Sequence, residues 1–460
     1  MAAPIDARNS SASKDSDPRG SSRGVLWGGA VAAFVLSAVA SLGRLWLGNP
    51  RALAETLWAE DGLFPLCIEK AGFWTCLTDP FAGYFLFVPR VLAWPVSVVP
   101  VESWAWTANI LAAVLVGSLA AIAYVIALRA NLAVFTSLVI AFLPTITPFV
   151  GLEALNAIGS SYMPLLFVST LAITLVPSQR WRTLGVVGIA GLLAVSALTI
   201  PSAVVLVLVI IVQFARRVIK GRNLVLWLLA LGVGLLVQAL TAVTSVSPRP
   251  IALTPASINS WAETVPISIF TFWPGLSLGE YGFFINFTLA PATYTGWLVV
   301  AVLTAIGVWS IVKGWGDAHG RQATVGILVL AGLAFGFIPS VIGDANNRYF
   351  VVPLLLWGAA LLVGLDATIR RARWWMLASV CALVVVVWWP AIPASEYRAT
   401  PAPEWTADVA RMKAKCLQDP AFVDRPLFSP FWPPNWGDGL DEPTHPNLPC
   451  SVVLGWVAEG

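Results

Sequence analysis

Charged side chains are scarce in this chain of 460 residues: Asp, Glu, Lys and Arg together make up 11% of it, whereas hydrophobic residues make up 58%. This balance is typical of a polytopic membrane protein and excludes an ordinary soluble domain. Histidine is nearly absent as well. Only His319 and His445 occur, which disfavours a histidine-based catalytic triad or a His-rich metal site. Any chemistry is therefore expected from carboxylates, arginines, hydroxyls and backbone groups.

Long apolar runs predict an all-α polytopic membrane protein with about eleven transmembrane helices, because about 20 apolar residues cross a hydrocarbon core of about 30 Å. Residues 1–23, rich in Ser, Asp and Arg, are predicted to form a disordered cytoplasmic tail. The transmembrane domain is predicted over residues 24–391. Its spans are expected near residues 24–47, 104–128, 133–150, 162–176, 184–200, 202–215, 223–245, 294–312, 323–342, 350–365 and 374–391.

Three features of these runs bear on the number of spans. The first run, residues 24–47, is followed at 52–54 by an Ala-Leu-Ala pattern like a signal-peptide cleavage site. The run exceeds the roughly 7 to 15 residues of a signal-peptide core, so we interpret it as an uncleaved span. Pro201 predicts a tight turn between two short spans. Residues 81–100 contain several prolines and are predicted to be interfacial or re-entrant rather than a twelfth span.

Basic residues divide unevenly between the two sides of these spans. With the amino-terminal tail in the cytoplasm, sixteen of the 27 Lys and Arg residues but only five of the 24 Asp and Glu residues fall on the cytoplasmic side. Because Lys and Arg near span ends favour the cytoplasm, we expect a multi-pass protein of the plasma membrane with a cytoplasmic N-terminus and an external C-terminus. With one span more or fewer, the basic residues would no longer lie mainly on one side, so the charge distribution supports an odd number of spans.

Three sizeable segments then lie outside the membrane: residues 48–103, residues 246–293 and a carboxyl-terminal segment, residues 392–460. The cytoplasmic loops are all short, and the chain has no G-x-x-x-x-G-K-[ST] phosphate loop. ATP-driven transport and the use of cytosolic nucleotide sugars are therefore not expected, and neither is a nucleic-acid partner. Ion-coupled carriers are disfavoured too, because they need ionisable groups near the membrane midplane.

Four of the five cysteines lie in the segments assigned to the outside, where disulfides persist. Four cysteines allow three pairings. We favour a bond from Cys67 to Cys76, which closes a short loop, and a bond from Cys416 to Cys450, which would staple the carboxyl-terminal segment into a small domain. The alternative is four unpaired thiols.

Two adjacent acids, Glu60 and Asp61, lie just beyond the first span. At the outer membrane surface a carboxylate can serve as a general base for a hydroxyl nucleophile, while a second acid orients the acceptor or holds a divalent metal. The alternative is a pair of solvated loop acids. The apolar neighbours Trp58 and Phe64 would hold the pair at the interface, and Gly62 allows a turn or close substrate approach. This setting favours the general base, with Asp61 ahead of Glu60.

Two arginines provide candidate partners for a phosphate group on the same side. Arg90 follows Tyr84 in the first external segment, and Arg348 lies between Asn347 and Tyr349 at the outer end of a later span. A guanidinium suits phosphate because its planar fork offers paired donors and keeps its charge near lipid. Carboxylates and arginines on one face would match a substrate with a phosphate leaving group and a hydroxyl acceptor.

Other residues of the outer side allow two interpretations each. Glu153, at an outer helix turn, either contacts substrate or is an ordinary polar residue at a helix end. Trp405, Trp432 and Trp436 of the carboxyl-terminal segment either stack on sugar rings or pack a small disulfide-linked domain.

In this layout the chain resembles the membrane-embedded GT-C glycosyltransferases of the actinobacterial cell-envelope type, which use polyprenyl-phosphate sugars as donors. The resemblance covers the order of spans and loops and rests on the acidic pair after the first span. It implies a GT-C-like helical bundle with interfacial helices in the first external loop and a small external C-terminal segment. It also implies a hexosyl- or pentosyltransferase in which Asp61 is the base and Arg348 contacts the donor phosphate.

The expected partners are membrane lipid, a lipid-linked sugar and a glycan or glycolipid acceptor. No cofactor is expected beyond a divalent metal that Glu60 and Asp61 could hold. Two other functions remain in play: a polymerase or ligase of lipid-linked glycans, and a transporter or scramblase of lipid-linked intermediates. The transporter or scramblase hypothesis predicts a polar path through the membrane, and it predicts that transport survives Asp61→Asn.

Overall fold

The structure is a computed structural model of the chain. It describes residues 19–48, 50–57, 59–81, 83–146, 157–175, 183–219, 221–245, 253–272, 292–317, 320–341, 350–379, 405–419, 421, 423–424 and 448–454.

Helices account for nearly all the regular structure of these residues. In chain order they are α1 (Arg19–Gly48), α2 (Ala52–Glu55), α3 (Leu63–Ala71), α4 (Phe73–Thr78), α5 (Phe87–Ser97), α6 (Trp104–Arg129), α7 (Val134–Ile146), α8 (Pro164–Leu175), α9 (Thr183–Thr199), α10 (Val204–Ala215), α11 (Gly221–Thr244), α12 (Pro255–Phe272), α13 (Ala292–Lys313), α14 (Arg321–Val341), α15 (Val351–Arg371), α16 (Trp405–Gln418) and α17 (Cys450–Val453). Short 3-10 turns cover Ala59–Gly62, Val101–Ser103 and Pro201–Ala203, and two-residue strands β1 (Val423–Asp424) and β2 (Leu448–Pro449) pair antiparallel.

Six of the described helices, α1, α6, α11, α13, α14 and α15, are long and apolar enough to cross a membrane. Four shorter apolar helices, α7 to α10, accompany them. Helices are expected here because lipid offers no hydrogen bonds, so each backbone group must be satisfied within its own segment. The predicted class, an all-helical multi-pass membrane protein, is therefore confirmed.

The ten predicted spans before residue 374 coincide with these ten helices, and the eleventh begins in a helical stretch at 374–379. Most of the eleventh span lies outside the described residues, so the count of eleven stays a prediction. Pro201 does interrupt the apolar stretch as expected, because α9 ends at Thr199 and a 3-10 turn precedes α10.

The bundle is held by helix pairs that pack along their lengths: α1 on α6, α6 on α7 and α8, α9 on α11, and α13, α14 and α15 in succession. Glycine permits the closest of these approaches. A Cβ added at Gly326 of α14 would lie 2.4 Å from the backbone oxygen of Gly307 in α13, so these two helices meet backbone to backbone.

Between α1 and α6 the chain forms a compact first loop that contains α2 to α5. Helix α5 has 11 residues, about 16 Å at a rise of about 1.5 Å per residue, and is too short to cross a membrane. Helices α3 and α4 meet at Gly72, whose φ of 80° favours glycine. A disulfide between Cys67 and Cys76 joins them, as the sequence predicts.

The carboxyl-terminal helix α16 docks on this first loop. Its Trp405 indole donates a hydrogen bond of 2.7 Å to the Val101 carbonyl and stacks on Trp104. Thr406 at its start donates to the Glu55 carboxylate, and Lys413 pairs with Glu102. The predicted disulfide between Cys416 and Cys450 is also present and ties α16 to α17. The first loop and α16 therefore lie at one end of the bundle.

Segments predicted to be cytoplasmic also contact one another, through Asp366 and Arg216. The buried Asp366 carboxylate of α15 lies 2.8 Å from Arg321 Nη2 and from Arg370 Nε, and it accepts a hydrogen bond from the Ala133 N–H. The Arg216 guanidinium donates to the Asp317 carbonyl at 2.9 Å. These contacts agree with the charge segregation read from the sequence, while the side on which each end lies stays a prediction.

Candidate functional site

The structure buries Asp61 in the first loop. Asp61 belongs to the 3-10 turn Ala59–Gly62, directly before α3, and its side chain has no exposed surface. Its Oδ1 accepts a hydrogen bond of 2.9 Å from the Gly159 N–H, in the turn that leads into α8. The Asp61 carboxylate is thereby fixed against the turn that precedes α8, and this contact gives the carboxylate a defined orientation. It is not a solvated loop acid.

Glu60 shares this turn, but its side chain lies outside the described residues. Among the residues described, no group of three or more His, Cys, Asp or Glu side chains is arranged to hold a metal ion. The division of work between the two acids therefore stays a prediction.

Arg90 lies on the inner face of α5, with 3% of its surface exposed. Its Nη2 is 4.0 Å from the Asp79 carboxylate, which is 60% exposed, and its Nε–H has no hydrogen-bond partner within the described residues. Burial lowers the pKa of the guanidinium to about 10, and the charge of Asp79 opposes this fall. Arg90 therefore remains a cation at neutral pH and is a buried donor that the described protein groups do not fully satisfy.

Aromatic rings connect Arg90 to the start of α3. The Arg90 guanidinium lies 5.6 Å from the ring centroid of Phe64, which is in the first turn of α3, three residues after Asp61. The Phe64 ring meets Phe81 edge to face at 5.5 Å, and Phe81 meets Tyr84 at 6.2 Å. Phe81 and Tyr84 also exchange two backbone hydrogen bonds. These contacts bring Arg90 and Tyr84 together around Phe64 where α3 packs on α5, and Asp61 lies three residues before Phe64 in the chain.

The local sequence explains this arrangement. In α3, Phe64, Leu66 and Ile68 turn inward, and in α5 Val88 and Ala93 do the same beside Arg90. The outer face of α5 is also apolar, with Val91 and Trp94 exposed, and Val98 directly after its end is exposed too. Helix α5 is therefore apolar on both sides, and its single cation lies on the side that faces the bundle.

Four predicted site residues, Glu153, Asn347, Arg348 and Tyr349, lie outside the described residues. Their place beside Asp61 stays a prediction. Trp432 and Trp436 also lie outside them, whereas Trp405 is buried and hydrogen-bonded to the first loop. Trp405 is thus a packing residue, and its hydrogen bond and ring stacking are with the first loop rather than within the disulfide-linked segment alone.

Three buried polar residues of the apolar helices are absent from the candidates that the sequence provides. Arg44, buried near the end of α1, donates a hydrogen bond of 3.1 Å to the Thr145 carbonyl. Asn109 of α6 donates to two carbonyls around α2, and Gln238 of α11 contacts the segment before α5. Each is a polar residue within an otherwise apolar run, and buried polar groups in lipid usually serve a contact or a function. That signal could have identified them.

Comparisons of the chain with protein-family models, with curated proteins and with solved structures find no match. Whatever is inferred about function therefore depends on the residues of this chain.

Proposed function

We propose that this protein is an integral membrane glycosyltransferase of GT-C type that moves a sugar from a polyprenyl-phosphate donor to a hydroxyl group of a cell-envelope glycan or lipid. One observation carries the proposal. The first loop contains a buried carboxylate, Asp61, in the turn directly before α3, and a buried and incompletely satisfied guanidinium, Arg90, on α5, which packs on α3. A buried cation and a buried carboxylate are both costly unless they serve contacts, and such groups are common at functional sites.

The role of Arg90 is to bind the donor phosphate. Its charge and its Nε–H suit a phosphate oxygen, because charge-assisted hydrogen bonds are strong in a site that excludes water. As the sugar leaves, negative charge grows on the phosphate, so the guanidinium stabilises the transition state more than the ground state. The Phe64 ring packs against the Arg90 guanidinium.

The role of Asp61 is to take the proton of the acceptor hydroxyl. The acceptor oxygen then forms a bond to the anomeric carbon while the bond from that carbon to the phosphate oxygen breaks. The proton ends on the carboxylate, and the lipid phosphate leaves with the electron pair. A single in-line displacement of this kind inverts the anomeric centre. Glu60 and, in the same proposal, Arg348 with Asn347 and Tyr349 complete the site from the outer ends of the spans.

The topology belongs to the same proposal: eleven spans in the plasma membrane, a cytoplasmic N-terminus, and the first loop and carboxyl-terminal segment outside. The docking of α16 on the first loop supports it, because both segments then lie on one side. Two disulfides in these segments agree with an oxidising external compartment. A lipid-linked donor suits this side, since the chain crosses the membrane in which such a donor is dissolved.

Sugar transfer in isolated membranes tests the proposal. Membranes that contain wild type, Asp61→Asn or Glu60→Gln are supplied with radiolabelled polyprenyl-phosphate sugars, and the products are sized. We expect transfer of single sugars by wild type and its loss in Asp61→Asn. Asp419→Asn, the same change at an exposed residue of the carboxyl-terminal segment, is the matched control and should transfer normally. Full transfer by Asp61→Asn at normal protein level would remove the base assignment, and transfer of whole glycans would favour the polymerase or ligase.

A further inference from the structure

Gln238 stands out in α11 because it is an amide in an apolar helix and is only 5% exposed. Its Oε1 accepts a hydrogen bond of 2.9 Å from the Phe85 N–H, and its Nε2 donates to the Phe85 carbonyl at 2.8 Å and to the Ala197 carbonyl at 3.1 Å. Both N–H donors and the oxygen of the amide are therefore in use. One side chain of a membrane helix holds both polar backbone groups of a residue in the first loop.

The position of Gln238 depends on a close approach of two helices. Gly234 lies one helical turn earlier, on the same face of α11. A Cβ added there would be 2.5 Å from the Ala197 Cβ and 3.0 Å from the Leu198 nitrogen, so α11 and α9 touch at this level because Gly234 has no side chain. The absence of that side chain brings Gln238 within reach of the Ala197 carbonyl.

Phe85 lies two residues before α5, the helix that carries Arg90. Its N–H and carbonyl are buried and need partners, because an unpaired backbone group away from water is costly. Gln238 supplies both partners and so sets where α5 begins. Arg90 lies three residues into α5, about 4.5 Å along its axis from the first residue at a rise of about 1.5 Å per residue. A displacement of Phe85 would therefore displace the Arg90 guanidinium as well.

We infer that Gln238 is a positioning residue: it holds the start of α5 so that Arg90 meets the donor phosphate, and Gly234 provides the helix approach that this requires. The inference rests on the proposed function for its ligand. A leucine would fill the same apolar surroundings, so packing alone does not explain an amide at this position.

Binding of polyprenyl monophosphate to the purified full chain in detergent tests the inference. The variants are Gln238→Leu, Arg90→Gln and the double variant, and quenching of tryptophan fluorescence reports binding. We expect Arg90→Gln to weaken binding about tenfold, as loss of one hydrogen bond to a charged group does, and Gln238→Leu to weaken it by up to the same factor, because Gln238 acts only through Arg90. We expect the double variant to bind no more weakly than Arg90→Gln alone, because Gln238 acts through Arg90. Losses that multiply in the double variant, or wild-type binding by either single variant, overturn the positioning role.

A pair of glycine variants separates positioning from general damage to α11. Gly234→Ala forces α11 away from α9 and should weaken binding several-fold, although the Gln238 side chain itself is unchanged. Gly232→Ala on the same helix is the control, because a Cβ there meets nothing within 4 Å. Hydrogen exchange of residues 83–97 should quicken in Gln238→Leu and Gly234→Ala but not in Gly232→Ala. Equal binding by the two glycine variants overturns the inference even if Gln238→Leu fails to fold.

The two proposals can fail separately. If Asp61→Asn retains full sugar transfer while the Gln238 and Arg90 variants behave as one unit in binding, the proposed chemistry is wrong and the positioning role stands. If Asp61→Asn loses transfer while the binding losses multiply, the chemistry stands and the positioning role is wrong.

Discussion

Replacing Arg90 with lysine should make donor binding depend on pH near neutrality. Burial lowers the pKa of the Arg90 guanidinium from the ordinary value of arginine to about 10, even though the Asp79 carboxylate lies 4.0 Å away. The burial of this site therefore disfavours the charged form of a cation. Lysine has an ordinary pKa of about 10.4, so the same burial would lower the pKa of the ammonium in Arg90→Lys to about 8.

The sign of the effect follows from which form binds phosphate. Below its pKa the group is charged and binds, and above its pKa the binding is lost. With a pKa of about 8, the charged fraction in Arg90→Lys falls about tenfold between about pH 7 and about pH 9. Wild type, with its pKa at about 10, should lose almost nothing over the same range.

The assay is a titration with polyprenyl monophosphate in detergent at several pH values, reported as the ratio of variant to wild type so that ionisation of the phosphate cancels. Arg90→Gln is the control and should bind weakly at every pH. A flat ratio for Arg90→Lys would refute the reasoning, because it would mean that the group is not a buried ligand of the phosphate.

Three further predictions concern stability. Gly326→Ala should cost about 1–3 kcal/mol, because the new Cβ would lie 2.4 Å from a backbone oxygen of α13, whereas Gly191→Ala meets nothing within 4 Å and should be neutral or stabilising; thermal unfolding in detergent compares them. Asp366→Ala should cost about 2–3 kcal/mol in the same assay, since three donors lose their acceptor but both arginines can rehydrate. Cys67→Ser should cost about 2.6 kcal/mol, the chain-entropy value for closing a loop with a separation of 9 residues.

Each of these has an outcome that would contradict it. Equal midpoints for the two glycine variants would mean that α13 and α14 do not meet closely. An unchanged midpoint for Asp366→Ala would mean that its arginine contacts do not hold the bundle. Reductant removes the bond between Cys416 and Cys450 from both proteins, so it should destabilise wild type more than Cys67→Ser by the contribution of the bond between Cys67 and Cys76. An equal effect on both would show that the bond between Cys67 and Cys76 contributes nothing.

Much of the fold follows from the sequence because lipid imposes one solution on an apolar run. The run at 24–47 becomes most of α1, and the break at Pro201 separates α9 from α10, as local sequence predicts. The disulfides between Cys67 and Cys76 and between Cys416 and Cys450 were also predictable, because topology put all four cysteines on one side.

The site was only partly predictable, because its contacts join residues that are distant in the chain. The hydrogen bond from Gly159 to Asp61 spans 98 positions, and that from Phe85 to Gln238 spans 153. No spacing rule encodes such contacts. Arg90 was identified from its chemistry, but its burial over Phe64 follows from the packing of α3 on α5, which the sequence alone does not specify.

The most direct test of the central claim is the chemical step itself, measured as a single turnover with donor already bound to wild type and to Asp61→Asn. If Asp61 is the general base, the variant should bind polyprenyl-phosphate sugar as wild type does, and its transfer step should be slower by about 10²- to 10⁴-fold. Transfer at the wild-type rate with donor bound would contradict the account, because Asp61 would then be a buried structural acid and the base would lie elsewhere.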